Sequence, residues 1–306
     1  MHELLISVHL QCGSLRYTES IRGNYMPEGP EVRNAADKIA KNLTNKVLKE
    51  VHLYYEPLLS SHHLLQGYQL LKVQTFGKAF VLYFSSEICI YVHLQLYGVW
   101  RTGKNTSQKK NTLQRIKGKN RSIRMCLRSE THYVELYSAT DVSVWSSDTI
   151  LKHPFIRKLG PDLLSGTYKA HHISRRLNRS KYKRRQLGHV LLDQHFFAGL
   201  GNYLRSEILF VSQLHPKRTL GSLSIKERRL LASQIHTIIY RAYKNKGITT
   251  SPEYVEKKKK RGWSKPAYRH YVFGRENKKC SLCKAKIQKI DFSGRRLYLC
   301  LVCQTE

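Results

Sequence analysis

Acidic residues are scarce in this chain. Asp and Glu number 21 of 306 residues against 54 Lys and Arg, a formal net charge of +33 with His neutral. An excess of that size repels itself in a compact fold and calls for a polyanionic partner. Nucleic acid fits first, because neutralised phosphates release counterions and so supply affinity without any sequence reading. An anionic membrane surface is the other polyanion to weigh. Long apolar runs are missing too, which excludes a bilayer-spanning helix. Cysteine is too sparse for a disulfide scaffold: there are seven in all, and Cys12, Cys89 and Cys126 stand alone. The first 25 residues hold only a brief apolar stretch broken by Ser7 and His9, with no basic segment before it, so they do not read as a signal peptide. These absences lead us to expect an intracellular, DNA-associated protein without a membrane role. With 41% apolar residues and 10% aromatics, the chain can bury real cores.

Apolar spacing predicts one amphipathic helix over residues 31–48. Alternating β-branched and aromatic runs follow at 51–55, 70–74, 80–84, 88–93, 122–127 and 132–136, which fits short strands in a sandwich or barrel. Residues 103–121 are polar, basic and Gly-punctuated, and read as a loop. Helical faces recur at 187–197, 203–211 and 225–243, with Ser224 placed to cap the last. Residues 256–263 (EKKKKRGW) read as a basic linker, and a small cysteine-centred unit ends the chain.

The remaining four cysteines fall as Cys280-x-x-Cys283 and Cys300-x-x-Cys303, separated by sixteen residues, 284–299. This spacing is that of a four-thiolate tetrahedral zinc site, and two such pairs argue against a redox dithiol. The intervening segment reads as a hairpin with Gly294 at its tip. Four thiolates leave no open coordination position, so we expect one structural zinc ion.

Residues 26–31, MPEGPE, carry a different chemistry if Met26 is the start. Initiator Met is readily removed before Pro, leaving Pro27 as a free secondary amine. An α-amino group titrates near pH 8, so roughly a tenth is nucleophilic at pH 7. Its attack on a sugar C1′ gives an iminium ion, an electron sink for elimination, with Glu28 beside it as general acid/base. Taken alone, the hexapeptide reads rather as a Pro-rich turn opening a helix with acidic residues in its first turn.

The motifs MPEGPEVRNAADKIA, FGKAF (76–80), HLQLYGVWR (93–101), HPFIRKLGPDLL (153–164), LLDQHFFAGLGNYLRSEIL (191–209) and the cysteine quartet occur in that order. Together they closely resemble the formamidopyrimidine-DNA glycosylase/endonuclease VIII (Nei) family, on its endonuclease VIII side, from Met26 to Gln304. Insertions fall near 104–119 and 244–261. The resemblance implies an α+β, multidomain fold. An N-terminal β-sandwich flanked by helices (26–150) precedes a helix–two-turn–helix domain (151–265) and a zinc-ribbon hairpin (266–306); residues 1–25 are an extension. Double-stranded DNA with an oxidised base or an abasic site would lie in the cleft, bound by a monomer.

Residue by residue, the resemblance implies that Pro27 is the nucleophile, Glu28 the proton donor and Glu31 a second acidic group. Lys78 matches the lysine of β-elimination and phosphate contact. Gln95, Leu96 and Tyr97 match the loop that fills the void left by the extruded base. Asn202 matches a DNA-contacting Asn, Asp162 and Glu207 match supporting acids, and Arg295 matches the DNA-gripping arginine linked to δ-elimination, with Arg296 as a register alternative. Lys158 stands where the family pattern has Arg, which keeps the charge and loses the bidentate fork. The implied activity is excision of oxidised bases, pyrimidines favoured over purine lesions, followed by β,δ-elimination in base excision repair. If residues 1–25 stay attached, the Pro27 nitrogen is an amide and the chain is a damaged-DNA binder without chemistry. Translation from Met26 or removal of the extension by processing would free the amine, and of these we expect translation to begin at Met26.

Overall fold

Helix α1 (Gly29–Leu43) opens on the Glu28-Gly29-Pro30 turn, where proline supplies a helical φ and no orphan N–H. It buries Val32, Ala36, Ile39 and Leu43 along one stripe. The helix stops five residues short of the expected 48, because Thr44 turns extended and Asn45 takes a left-handed φ of 60°. The computed structural model describes residues 26–105, 121–166 and 168–306. The extension 1–25 and most of the basic segment expected as a loop lie outside these residues.

The strands are β1 (Glu50–Leu53), β2 (Leu70–Phe76), β3 (Ala79–Phe84), β4 (Ile88–His93), β5 (Val99–Lys104), β6 (Ile123–Arg128), β7 (His132–Tyr137) and β8 (Asp141–Ser146). Two antiparallel sheets, ordered β1-β6-β7-β5 and β2-β3-β4-β8, form the sandwich. Between β1 and β2 lies the one-turn helix α2 (Glu56–Leu59). Strand β3 is buried on both faces. Phe80, Leu82 and Phe84 enter the sandwich core with α1. Ala79, Val81 and Tyr83 instead pack with Tyr91, Ile150 and Ile156 of the next segment.

Two strands were not expected. In β5, Arg101 and Gly103 dilute the apolar signal, and Gly103 and Lys104 extend the strand into the segment read as loop. In β8 only Val142 and Val144 point to the core, too short an alternation to stand out.

The helical part holds α3 (Ala170–Leu177), α4 (Leu187–Val190), α5 (Asn202–Val211), α6 (Ile225–Lys244), α7 (Pro252–Lys260) and α8 (Lys265–Tyr268). Ser224 caps α6 as expected, exchanging hydrogen bonds with Glu227 in a capping box. The helix expected over 187–197 is cut to one turn. The Asp193 carboxylate accepts the His195 amide at 2.9 Å, and the Gln194 side chain donates to Leu200 O and accepts the Gly199 amide, which winds the chain into turns instead. The expected linker is also corrected: residues 252–260 are helix α7. Ser251 caps it by accepting the Tyr254 amide, and Pro252 and Glu253 occupy its first turn, a start signal masked by the lysines behind it.

Strands β9 (Gln288–Asp291) and β10 (Arg296–Leu299) form the final hairpin, with Gly294 at φ 73° in its tip. Phe292, Leu297, Tyr298 and Leu299 share one core with α5 and α6, so this hairpin is seated on the helical part.

Candidate active site

Where α1 meets the glycine loop before α5, the two halves of the chain touch through backbone. The Gly29 amide donates to Gly199 O at 2.8 Å, and Gly199 takes a left-handed φ of 93°. The Glu28 carboxylate then reaches across and accepts the Tyr203 and Leu204 amides, at 2.8 and 3.2 Å, in the first turn of α5. Free N–H groups and the helix dipole both favour a carboxylate there. Gly201 makes the reach possible, since a Cβ on it would lie 2.3 Å from Glu28 Cδ.

Glu28 is nonetheless held well above the ordinary carboxylate range, at about 7. Burial dominates the amides and the Lys78 cation that pull it down, and Glu31 adds to the rise. Lys78 sits in the β2–β3 turn, and burial lowers its ammonium, opposed by Glu28 and reinforced by Arg295. That turn is fixed by Asp162, whose carboxylate accepts the Gly77 and Leu164 amides at 2.8 Å each. Burial raises Asp162 despite these bonds.

Glu31 lies directly behind. It accepts the Glu28 amide, the Tyr203 hydroxyl and Arg269 Nη2, the last at 3.2 Å. Burial raises it, with Arg269 pulling against. The structure thus gathers Glu28, Glu31, Lys78 and Arg295 into one electrostatic group, with Pro27 half-buried at its edge.

The remaining expected residues are arranged around this group. Arg295 is exposed at the tip of the β9–β10 hairpin, and its charge acts on both Lys78 and Arg205. Arg296 is in β10 opposite Asp291, and its carbonyl accepts Arg205 Nη2 at 3.1 Å. Asn202 is the first residue of α5, and its Oδ1 accepts Arg205 Nη2. Gln95, Leu96 and Tyr97 cap the turn after β4. Leu96 is 49% and Tyr97 62% exposed, and Gln95 takes a φ of 50° with its amide donating to His93 Nδ1. Lys158 is exposed on a short turn, lining a shallow pocket with Phe155 and His195. Glu207 does not join the group. It is fully buried and accepts the Thr249 hydroxyl and the amides of Tyr271, Val272 and Phe273, so it ties down the segment leading to the cysteines.

Residues not singled out from sequence complete the picture. Arg205 is fully buried and donates to Gly188 O at 3.0 Å and Arg296 O at 3.1 Å, joining α5 to the hairpin that carries Arg295. Its only sequence signal is one charge inside the apolar run of α5, three residues after Asn202. Tyr203 and Arg269 hold Glu31, and His93 supports the exposed turn from beneath. Arg205, Tyr203 and Arg269 have no spacing signal, because their partners come from distant parts of the chain, whereas His93 acts on the amide two residues on.

The four cysteine sulfurs lie within 4.8 Å of one another, with Cys283–Cys300 at 3.4 Å and Cys280–Cys303 at 3.9 Å. Tetrahedral Zn–S bonds of about 2.3 Å require sulfurs about 3.8 Å apart, so the donor set fits one such ion. Gln304 braces this knuckle, accepting the Cys300 amide and donating to Leu214 O.

With this geometry in hand, comparisons with known proteins are informative. Residues 26–135 match the formamidopyrimidine-DNA glycosylase N-terminal domain, and residues 159–253 the formamidopyrimidine-DNA glycosylase H2TH domain. The chain is 35% identical to endonuclease 8 of Pectobacterium atrosepticum over 280 residues, covering 92% of this chain and 100% of the relative. Endonuclease 8 of Klebsiella pneumoniae is also 35% identical, over 91% of this chain and 100% of its own. Among solved structures, Lactococcus lactis formamidopyrimidine-DNA glycosylase, non-covalently bound to DNA containing an AP site, superposes with a TM-score of 0.70 at 22% identity, covering 91% of this chain and 100% of that one. The same enzyme with oxidised-pyrimidine DNA gives 0.70 at 23%, covering 92% and 100%. These two likenesses establish the fold.

Proposed function

The chain belongs to the formamidopyrimidine-DNA glycosylase/endonuclease VIII family, a DNA-repair family of glycosylases with lyase activity at abasic sites, and from that premise we propose that it removes oxidised bases, pyrimidines foremost, from duplex DNA through a Schiff base on Pro27. The observation that carries this reading is Glu28: a buried carboxyl poised at about 7, beside the candidate amine, with Lys78 in its field.

The flipped nucleotide presents C1′ to the neutral Pro27 nitrogen. As the N–C1′ bond forms, the glycosidic bond breaks and the base leaves with the electron pair, taking up the proton that the Pro27 nitrogen sheds; Glu28 in its protonated form then gives its proton to O4′ as the C1′–O4′ bond opens to the iminium. The resulting iminium accepts electrons while the C2′ proton leaves and the 3′-phosphate is expelled. A second elimination expels the 5′-phosphate, and water releases the sugar remnant from Pro27. Lys78 and Arg295 neutralise the flanking phosphates, Asn202 and Lys158 bind the backbone, and Gln95, Leu96 and Tyr97 fill the vacated stack. Asp162 and Glu31 hold the elements that present these groups. Cys280, Cys283, Cys300 and Cys303 would hold one zinc ion, whose four thiolate bonds would tie together the base of the Arg295 hairpin. The units that divide this work are residues 26–150, 151–265 and 266–306, acting as a DNA-associated monomer.

Pro27 chemistry requires a free amine, so the working protein begins at Met26 and loses that methionine. In support, the N-terminal family match begins at residue 26, and full-length relatives are covered by 92% of this chain. The test is borohydride trapping on a duplex with an oxidised pyrimidine, using the full chain and a version starting at Met26. An adduct with the Met26 version alone supports the Pro27 amine. Adducts with both, with the full chain's mass unprocessed, point to another nucleophile such as Lys78. No adduct with either leaves a damaged-DNA binder. A parallel panel of formamidopyrimidine lesions tests the pyrimidine preference.

A further inference from the structure

The lysine run at residues 257–260 has no part in the active-site group. It lies on α7, beyond the helical family match, which ends at residue 253. Lys257, Lys259, Lys260 and Arg261 are exposed. Lys258 folds back over the Trp263 ring at 3.7 Å, and the Arg275 guanidinium lies 5.8 Å from the same ring. Lys284, next to Cys283, adds to this field. Burial, Arg261, Arg275, Lys284 and Lys257 together hold the Lys258 ammonium below its ordinary range. Among the described residues, one ion pair answers these cations: Glu256 with Lys260 at 3.0 Å.

A helix C-terminus welcomes a cation or two, but like charges three and four residues apart on one face oppose each other. Arg275 also donates to Ala267 O at 2.7 Å and Lys284 to Ser281 O at 3.4 Å, bonds to neutral carbonyls that leave their charges uncompensated. A cluster that keeps so many cations close with a single carboxylate partner is matched by a row of phosphates. We infer that α7, with Arg275 and Lys284, is a second phosphate-binding surface that takes duplex DNA flanking the lesion, outside the Glu28–Lys78 site. The choice of DNA over other polyanions rests on the glycosylase reading.

The nine residues of α7 span about 14 Å, the length of about four base pairs. A duplex that runs well beyond the lesion position on both sides can engage this surface, and one that ends within a few base pairs of it cannot.

The experiment compares the salt dependence of binding to duplexes of about 30 and about 11 base pairs, each with a central tetrahydrofuran abasic-site analogue that fixes the register and offers no base to excise. The full chain carrying Lys257→Gln, Lys259→Gln and Arg261→Gln should lose about 2–3 from the slope of log K against log salt on the long duplex, at about 0.9 per phosphate contact. On the short duplex its slope should match the unmodified protein. A version with Lys257→Arg and Lys259→Arg should keep the long-duplex slope, separating charge from helix integrity. An unchanged long-duplex slope in the Gln variant overturns the inference, as does an equal loss on both lengths or a loss confined to single-stranded RNA. A chain that binds in this way yet fails to excise would count against the glycosylase reading alone.

Discussion

Gly201 and the Glu28 carboxyl occupy one place in space. A Cβ on Gly201 would lie 2.3 Å from Glu28 Cδ and 2.4 Å from its Oε1. The glycine is thus the condition on which a residue of the sandwich half can seat its acid on the amides of α5. Gly77 stands in a similar relation to Ala198, where a Cβ would approach to 2.9 Å. The α1 start and the Lys78 turn are therefore both registered against the same loop.

Gly201→Ala should displace Glu28 from the Tyr203 and Leu204 amides. Base excision should fall by about 100-fold or more, the scale of a lost general acid, and stability by about 1–3 kcal/mol from overpacking. Cleavage at a pre-formed abasic site, whose sugar opens to the aldehyde without a proton from Glu28, should fall less. Single-turnover rates on lesion and abasic duplexes check this, and equal losses on both would refute the assignment of Glu28 to the base-removal step.

The pH dependence of stability has a definite sign. Glu28 is raised from 4.5 to about 7, so the native state holds a proton that the unfolded chain releases between those values. The stability due to this group is fully present below about pH 4.5 and is lost as pH rises through about 7. Unfolding free energies of the protein relative to Glu28→Gln should fall by up to about 3 kcal/mol across that window and level off above it. A flat difference from pH 4.5 to 8 would show that Glu28 titrates normally.

Much of this arrangement was legible in the sequence, and the division has a physical basis. The cysteine quartet, the Ser224 cap and β4 are local patterns, in which spacing along the chain is the geometry itself. The limits of α1 and the fate of residues 187–197 were not, because Asn45 and Gln194 act through backbone conformation and hydrogen bonds that leave no periodic trace. Helix α7 was hidden for a different reason: its cap, Ser251-Pro252-Glu253, precedes a charge run that dominates composition. Arg205, Arg269 and Tyr203 were illegible because each acts on a partner in another part of the chain.

Arg205→Met removes a buried guanidinium that donates to Gly188 O and Arg296 O. The orphaned carbonyls should cost about 2–4 kcal/mol, and the hairpin tip should lose its tether to α5. Affinity for abasic-site DNA should drop, while the metal content of the cysteine site stays unchanged. Denaturant unfolding with metal analysis checks both, and loss of the metal would place Arg205 in the site's own support.

Leu96→Ala separates the wedge from the fold. The side chain is 49% exposed, so stability should move by no more than about 0.5 kcal/mol. Binding to undamaged duplex rests on phosphates and should hold. Excision of a paired oxidised pyrimidine should slow, because the unstacked duplex costs a few kcal/mol to hold open. The same lesion in a single strand has no stack to replace, so the variant and the unmodified protein should process it at similar rates. A defect of equal size on both substrates would move Leu96 from filling the duplex to shaping the pocket.

Cys283→Ser removes one of four thiolates, and a three-thiolate remnant binds zinc far more weakly. Metal content should fall from one ion per chain to none. The hairpin's Phe292, Leu297 and Leu299 remain packed in the core of α5 and α6, so the helical part should stay folded while the tip that carries Arg295 loosens. That predicts a selective defect. Affinity for abasic-site DNA should fall and its salt slope should drop by about 1, the share of a single phosphate contact. Retention of the metal would refute the quartet as its site, and global unfolding would show that the ion holds more than the hairpin.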